Sequence, residues 1–255
     1  MLIQITNTCH MLCPHCMQRS DATPRHMSME TVELCARHAE ELGVMAVMIS
    51  GGEPTEHPQF KEIVKRFLKF PIVGIISNGD WADNLEMIRT MRWILSHKNV
   101  SLQITNIPGI YPREVNIRKI RTLFPRVAVE QNGLLMMSLG RATEHEEFLA
   151  AARQHPYTTS CFSSALTSAQ LPYPYAIKNM EVRGKFCHPL IDWKGGIHWS
   201  ESCQCPKFAD ISEPLEDIAV KAHRWRPCGS CPDYKKLLDN NSTQYIAAKE
   251  ILGIK

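Results

Sequence analysis

Short apolar runs of strand length recur along the first half of the chain, each followed by a polar or glycine-bearing loop and then by a segment of helical period. Leu2, Ile3 and Ile5 form the first. Val44 to Ile49, Ile72 to Ile76, Val100 to Ile104, Val127 to Glu130 and Leu134 to Leu139 follow. A run that is apolar throughout suits a strand buried on both faces, which is the situation of a parallel sheet covered by helices. Between the runs, Ser28 can cap a helix that places Val32, Cys35, Ala36, Ala39 and Leu42 on one face and ends at Gly43. Cys35 on that face reads as core. Pro58 suits the first turn of a second helix burying Phe60, Ile63, Val64, Phe67 and Leu68. Two more helices are expected around Leu85 to Leu95 and Ile117 to Leu123. The alternation predicts an α/β fold with a parallel sheet. Sites on such sheets lie beyond the carboxyl ends of the strands.

Those ends carry the chemistry. After the first run, Cys9, Cys13 and Cys16 arrive in a C-x3-C-x2-C spacing. The same positions are i, i+4 and i+7, so a helical core stripe is one reading. Pro14 opposes it, because proline inside a helix removes a hydrogen bond and clashes with the turn before it. Asn7, Thr8 and Pro14 instead predict a loop. A cysteine loop flanked by His10 and His15 admits zinc or disulfides as well as an iron–sulfur cluster. Three thiolates would hold three irons of a cubane and leave the fourth open, whereas a cluster closed by four only passes electrons. After the second run, Ser50-Gly51-Gly52-Glu53-Pro54 offers two glycines through which backbone can approach a ligand closely. Ser77-Asn78-Gly79 follows the third, as short polar side chains within reach of a ligand or as a plain turn. Gly140-Arg141-Ala142 follows the sixth, where a planar guanidinium could take a carboxylate. Gln103 and Glu130 read as barrel-mouth residues or solvated strand ends.

With 255 residues, 44% hydrophobic and 22% charged, the chain can bury a full core without disulfides. No run approaches a membrane span, and Met1 to Thr6 is too short and polar for a signal peptide, so a cytoplasmic protein is expected. In that reducing compartment the ten cysteines suit metal binding or burial better than pairing. A net charge of +3 permits an acidic substrate or nucleic acid without requiring either. The groups Arg113, Arg118, Lys119, Arg121 and Lys221, Arg224, Arg226 admit nucleic acid but also read as solvated surface.

The periodicity weakens from Thr143 onward. Cys161 lies in a polar stretch and reads as a hydrogen-atom donor to a substrate radical or as a packing cysteine. Cys187, Cys203, Cys205, Cys228 and Cys231 then cluster around Leu190 to Trp199, which reads as a hairpin with a glycine turn. A C-x2-C pair with a distant second pair also admits a zinc ribbon. Gln244 to Leu252 is expected to close the chain as a helix.

The cysteine loop after the first strand resembles the signature of the radical SAM superfamily. That resemblance implies a 4Fe–4S cluster on Cys9, Cys13 and Cys16 whose open iron chelates S-adenosylmethionine (SAM). The reduced cluster would pass one electron into the sulfonium, giving methionine and a 5′-deoxyadenosyl radical that takes hydrogen from a substrate carbon. Gly51-Gly52-Glu53 resembles the family's GGE motif, which implies contact with the SAM amino group. Ser77-Asn78-Gly79 is similar to its Thr-Asn-Gly element, implying ribose or carboxylate contacts, and Gly140-Arg141-Ala142 resembles its Gly-Arg-Ala element, implying a carboxylate or SAM contact for Arg141. His15 stands where the family usually has an aromatic ring near adenine.

By the same resemblance, residues 1–142 form a partial (β/α)6 TIM-like barrel, 143–186 connect, and 187–255 carry an auxiliary-cluster module of the twitch or SPASM kind. Five thiols suffice for one further 4Fe–4S cluster, on Cys187, Cys203 or Cys205, Cys228 and Cys231, with His188 as an alternative ligand. A flavodoxin or ferredoxin is the implied electron donor. A first strand beginning at residue 2 leaves no room before it for a peptide-recognition domain. The expected substrate is therefore compact: a sugar, amino acid or nucleotide to be oxidised, rearranged or isomerised. A base in DNA or RNA and a peptide are the alternatives, and a non-catalytic zinc or iron–sulfur protein is the competing class.

Overall fold

The computed structural model describes residues 1–106, 109–130, 140–147, 190–198 and 206–224. Five strands, β1 (Leu2–Gln4), β2 (Ala46–Ser50), β3 (Ile72–Ser77), β4 (Val100–Thr105) and β5 (Ala128–Glu130), lie parallel in sequential order. The crossovers contain α1 (Met29–Glu41), α2 (Phe60–Phe67), α3 (Leu85–Leu95) and α4 (Ile117–Leu123). Ile3, Val47, Ile49, Val73, Ile75, Leu102 and Ile104 share one core with Val32, Cys35, Phe60, Ile63, Phe67, Ile88 and Met91. The apolar runs and the helix stripes are thus two sides of one interface. Cys35 is fully buried there, as expected of a core cysteine.

Cap chemistry sets the boundaries. The Ser28 hydroxyl accepts from Thr31 N and starts α1. At its end Gly43 takes φ +62°, with Gly43 N donating to Glu40 O and Val44 N to Ala39 O. That is a Schellman turn, so Val44 belongs to the close of the helix and β2 begins at Ala46 rather than Val44. Pro58 likewise lies before α2, which begins at Phe60. The approach is pinned by His57, whose ring contacts Met27 O through Nε2 and takes Gln59 N on Nδ1.

Beyond β1 the sheet continues through β6 (Leu190–Ile191), β7 (Gly196–His198) and β8 (Lys207–Asp210), followed by α5 (Leu215–Arg224). The order among described residues is β5-β4-β3-β2-β1-β6-β7-β8. β6 runs parallel to β1, β7 antiparallel to β6 and β8 antiparallel to β7, so the hairpin expected at 190–199 extends the sheet at the β1 side. The Asp192 carboxylate accepts from Lys194 N and Gly196 N and meets His198 Nε2 at 2.8 Å, which fastens the turn. β8 and α5 were not legible in the sequence pattern. The sixth strand expected at 134–139, the closing helix at 244–252 and Cys161, Cys187, His188, Cys203, Cys205, Cys228 and Cys231 lie outside the described residues. Among the described residues no helix is long and apolar enough to cross a membrane.

Phe67, fully buried on α2, tests this core. Phe67→Ala is expected to cost about 3–5 kcal/mol, read as a lower denaturant midpoint at unchanged slope. A loss below about 1 kcal/mol would mean that α2 is not packed on the sheet as described.

Candidate cofactor site

The cysteine loop is placed by a backbone ladder that outruns the strands. Past β1 and β2, Ile5 N donates to Ser50 O (3.0 Å), Gly52 N to Thr6 O (2.8 Å) and Glu53 N to Thr8 O (2.9 Å). On the other flank, Met27 N donates to Ile5 O, Asn7 N to Arg25 O and Cys9 N to Asp21 O, at 2.7 to 2.8 Å. Residues 5–9 are therefore held on both sides as an extension of β1. After Cys9 the chain turns as a loop, with Leu12 and Arg19 both at φ +52°, and the helical-stripe reading of the cysteines is excluded.

Gly51 and Gly52 make the close approach possible. A Cβ on Gly51 would stand 2.5 Å from Thr6 O, and one on Gly52 would stand 2.3 Å from Thr8 O. The backbone these glycines admit is that of the cysteine loop itself. From the sequence the expected neighbour was a ligand.

Glu53, Ser77 and Asn78 tie the next strand ends together. Glu53 is 1% exposed. Its carboxylate accepts from Thr55 N, Thr55 Oγ1, Ser77 Oγ and Asn78 N. Burial nevertheless raises its pKa above the usual carboxylate range, with the four donors opposing. Ser77 Oγ also accepts from Gly79 N and Trp81 Nε1. Asn78 Oδ1 accepts from Asp80 N at 2.8 Å, and Asn78 Nδ2 donates to Cys9 Sγ at 3.7 Å.

Arg141 grips the loop from the far side. Its guanidinium donates to Cys13 O and Ser20 O, both at 2.7 Å, and its backbone N to Cys16 O at 2.9 Å. Gly140, at φ +61°, lies so near that a Cβ would meet Met17 O at 2.3 Å. An Arg19–Glu144 ion pair joins the same two segments. Read from the sequence as ligand contacts, the Glu53, Ser77, Asn78 and Arg141 side chains bind one another and the cysteine loop. Glu56 was missed altogether: it takes His10 N on one carboxylate oxygen and the His10 ring on the other, at 3.1 and 2.6 Å. No spacing rule links positions 10 and 56. Tyr111 was missed too, and its ring lies 4.7 Å from that of His15.

The thiols of Cys9, Cys13 and Cys16 are free. Cys9 and Cys13 are each 8% exposed, and burial pushes both pKa values up to about 12. Cys16 raises both further, and Cys9 raises that of Cys13. Burial brings the His15 pKa down to about 4, with Arg141 contributing, so the ring is neutral near pH 7. Among the described residues no three His, Cys, Asp or Glu side chains converge on one point. Three free thiols on one clamped loop are the donor types that would hold a three-thiolate cubane, which they could ligate only on losing their protons. Taken with the sheet, this donor set is that of a chain able to carry an iron–sulfur centre with one position open.

Comparison with known proteins agrees. The family model of the radical SAM superfamily matches residues 3–130, and the chain belongs to that superfamily. Its members use a 4Fe–4S cluster and SAM. The PqqA peptide cyclase of Granulibacter bethesdensis is 27% identical over 110 residues, 42% of this chain and 29% of that protein. A probable GTP 3′,8-cyclase of Methanocaldococcus jannaschii is 30% identical over 116 residues, 44% of this chain and 38% of that protein. The chain thus spans about a third of the length of the curated relatives it matches. Among solved structures, Streptococcus suis SuiB bound to precursor peptide SuiA aligns with 90% of this chain and 67% of its own, at TM-score 0.48 and 12% identity.

Gly52→Ala separates this site from general stability. It is expected to cost about 1–3 kcal/mol and to lower the iron retained after anaerobic reconstitution. Gly43→Ala meets no atom within 4 Å and should cost about 1–2 kcal/mol through its left-handed backbone, with iron unchanged. Equal iron in the two variants would contradict the packing described.

Proposed function

We propose that the chain is a radical SAM enzyme in which Cys9, Cys13 and Cys16 are the three protein ligands of the catalytic 4Fe–4S cluster. The observation that carries this is the three free thiols on one loop, fixed at the carboxyl end of β1 by Gly52, Glu53, Asn78 and Arg141. When bound, the cluster and SAM supply the one-electron chemistry that yields a carbon radical able to take hydrogen from a substrate. The chain's own residues do the rest. Gly51 and Gly52 keep the end of β2 against the loop, and Glu53 joins that end to Ser77 and Asn78 at the end of β3. His15, neutral and half-buried against Tyr111, offers a flat face of the kind an adenine ring stacks on. Arg141 keeps Cys13 and Cys16 in place through their carbonyls.

The proposal extends to an auxiliary 4Fe–4S cluster on Cys187, Cys203 or Cys205, Cys228 and Cys231, with His188 as an alternative ligand, in a region 187–255 beyond the 1–142 core and the 143–186 connection. The proposed substrate is compact, and the GTP 3′,8-cyclase likeness supports a nucleotide or similar molecule. A peptide substrate is the second reading, favoured by the likeness to the PqqA peptide cyclase.

The test is iron per chain and dithionite-dependent 5′-deoxyadenosine formation, for the wild type beside a Cys9→Ala/Cys13→Ala/Cys16→Ala variant. About eight irons falling to about four, with 5′-deoxyadenosine lost, is the expected result. About four falling to none would remove the auxiliary cluster and keep the catalytic one. Wild-type protein that binds no iron, or leaves SAM intact when loaded and reduced, would end the proposal.

A further inference from the structure

The Asn78 side chain donates to a sulfur of the cysteine loop, and its geometry is over-determined. Its backbone N is held by Glu53 Oε2 at 2.8 Å, and its side-chain oxygen by Asp80 N at 2.8 Å. Because a backbone N–H occupies Oδ1, the amide cannot be turned round without setting donor against donor, so the NH2 end faces Cys9. Asn78 and Cys9 are each 8% exposed, so water competes little for this contact. The Met11 backbone hydrogen-bonds the same sulfur, while Glu53, Glu56 and Cys16 oppose negative charge on it.

We propose that Asn78 is a positioning residue that donates an N–H···S hydrogen bond to the Cys9 thiolate and thereby raises the reduction potential of the cluster. This rests on the ligand assignment made above. Reduction adds an electron whose charge is shared with the sulfurs, so a donor to sulfur stabilises the reduced cluster more than the oxidised one.

The experiment is an anaerobic redox titration of the cluster, followed by electron paramagnetic resonance of the reduced state, with and without SAM. Wild type is compared with Asn78→Ala and Asn78→Asp. Asn78→Asp keeps the shape and the acceptor for Asp80 N but places a carboxylate oxygen where the donor was. Both variants should retain iron at the catalytic cluster, and Asn78→Ala should be roughly tenfold harder to reduce, about 59 mV for one electron. Asn78→Asp should lie lower still. Variants that lose iron but keep the wild-type potential on the loaded fraction would reduce Asn78 to a structural residue and overturn the proposal. A shift seen only with SAM present would assign the amide to SAM instead of Cys9, and would also overturn it. Wild type that assembles no cluster on Cys9, Cys13 and Cys16 would overturn the ligand assignment itself. Unchanged potentials in a wild type that cleaves SAM would overturn this inference alone.

Discussion

Two backbone hydrogen bonds hold the site in register: Gly52 N to Thr6 O and Glu53 N to Thr8 O. They carry the β1–β2 ladder past the last strand residues and into the loop that bears Cys9. A side chain at either glycine would collide with a carbonyl oxygen of the partner segment, so this ladder exists only because positions 51 and 52 lack Cβ atoms. From it the rest follows in order. Glu53, delivered by the second bond, reaches Ser77 and Asn78 at the end of β3. Asn78 reaches back to Cys9, and the circuit closes on the loop where it began.

Electrostatics gives that circuit its purpose. Thiols buried as deeply as Cys9 and Cys13 resist ionisation, and Glu53 and Glu56 make it harder for Cys9. The Arg141 guanidinium eases ionisation of Cys13. Its fork is already bound to Cys13 O and Ser20 O, so it acts by holding the loop and by its field. Iron bound there, as proposed, would take up the thiolate charge and so remove the penalty that burial imposes on an isolated thiolate.

The strands and helices were legible because each bears its own signal. Apolar runs marked strands covered on both faces, and Ser28, Gly43 and the stripe from Phe60 to Phe67 marked helices. The Cys9–Cys16 loop was legible through Pro14 and its spacing. What could not be read was which atoms stand opposite one another across the sheet. Gly51 and Gly52 announce a close approach, but only the register of β1 on β2 reveals that the neighbour is Thr6 and Thr8. Ser77, Asn78 and Arg141 announce polar contacts without direction, and all three turn inward. Glu56 and Tyr111 carried no signal, because their partners lie some 46 and 96 positions away. β8 escaped because a four-residue edge strand with Lys207 exposed shows no clean alternation.

The central claim is that three thiolates leave one iron open for SAM. The most direct measurement is electron–nuclear double resonance on the reduced, cluster-loaded protein with SAM labelled with 15N at its amino group. Direct 15N coupling to the cluster, abolished in the Cys9→Ala/Cys13→Ala/Cys16→Ala variant, is the predicted result. A reduced cluster in the wild type with no such coupling would mean a closed or displaced centre and would contradict the account.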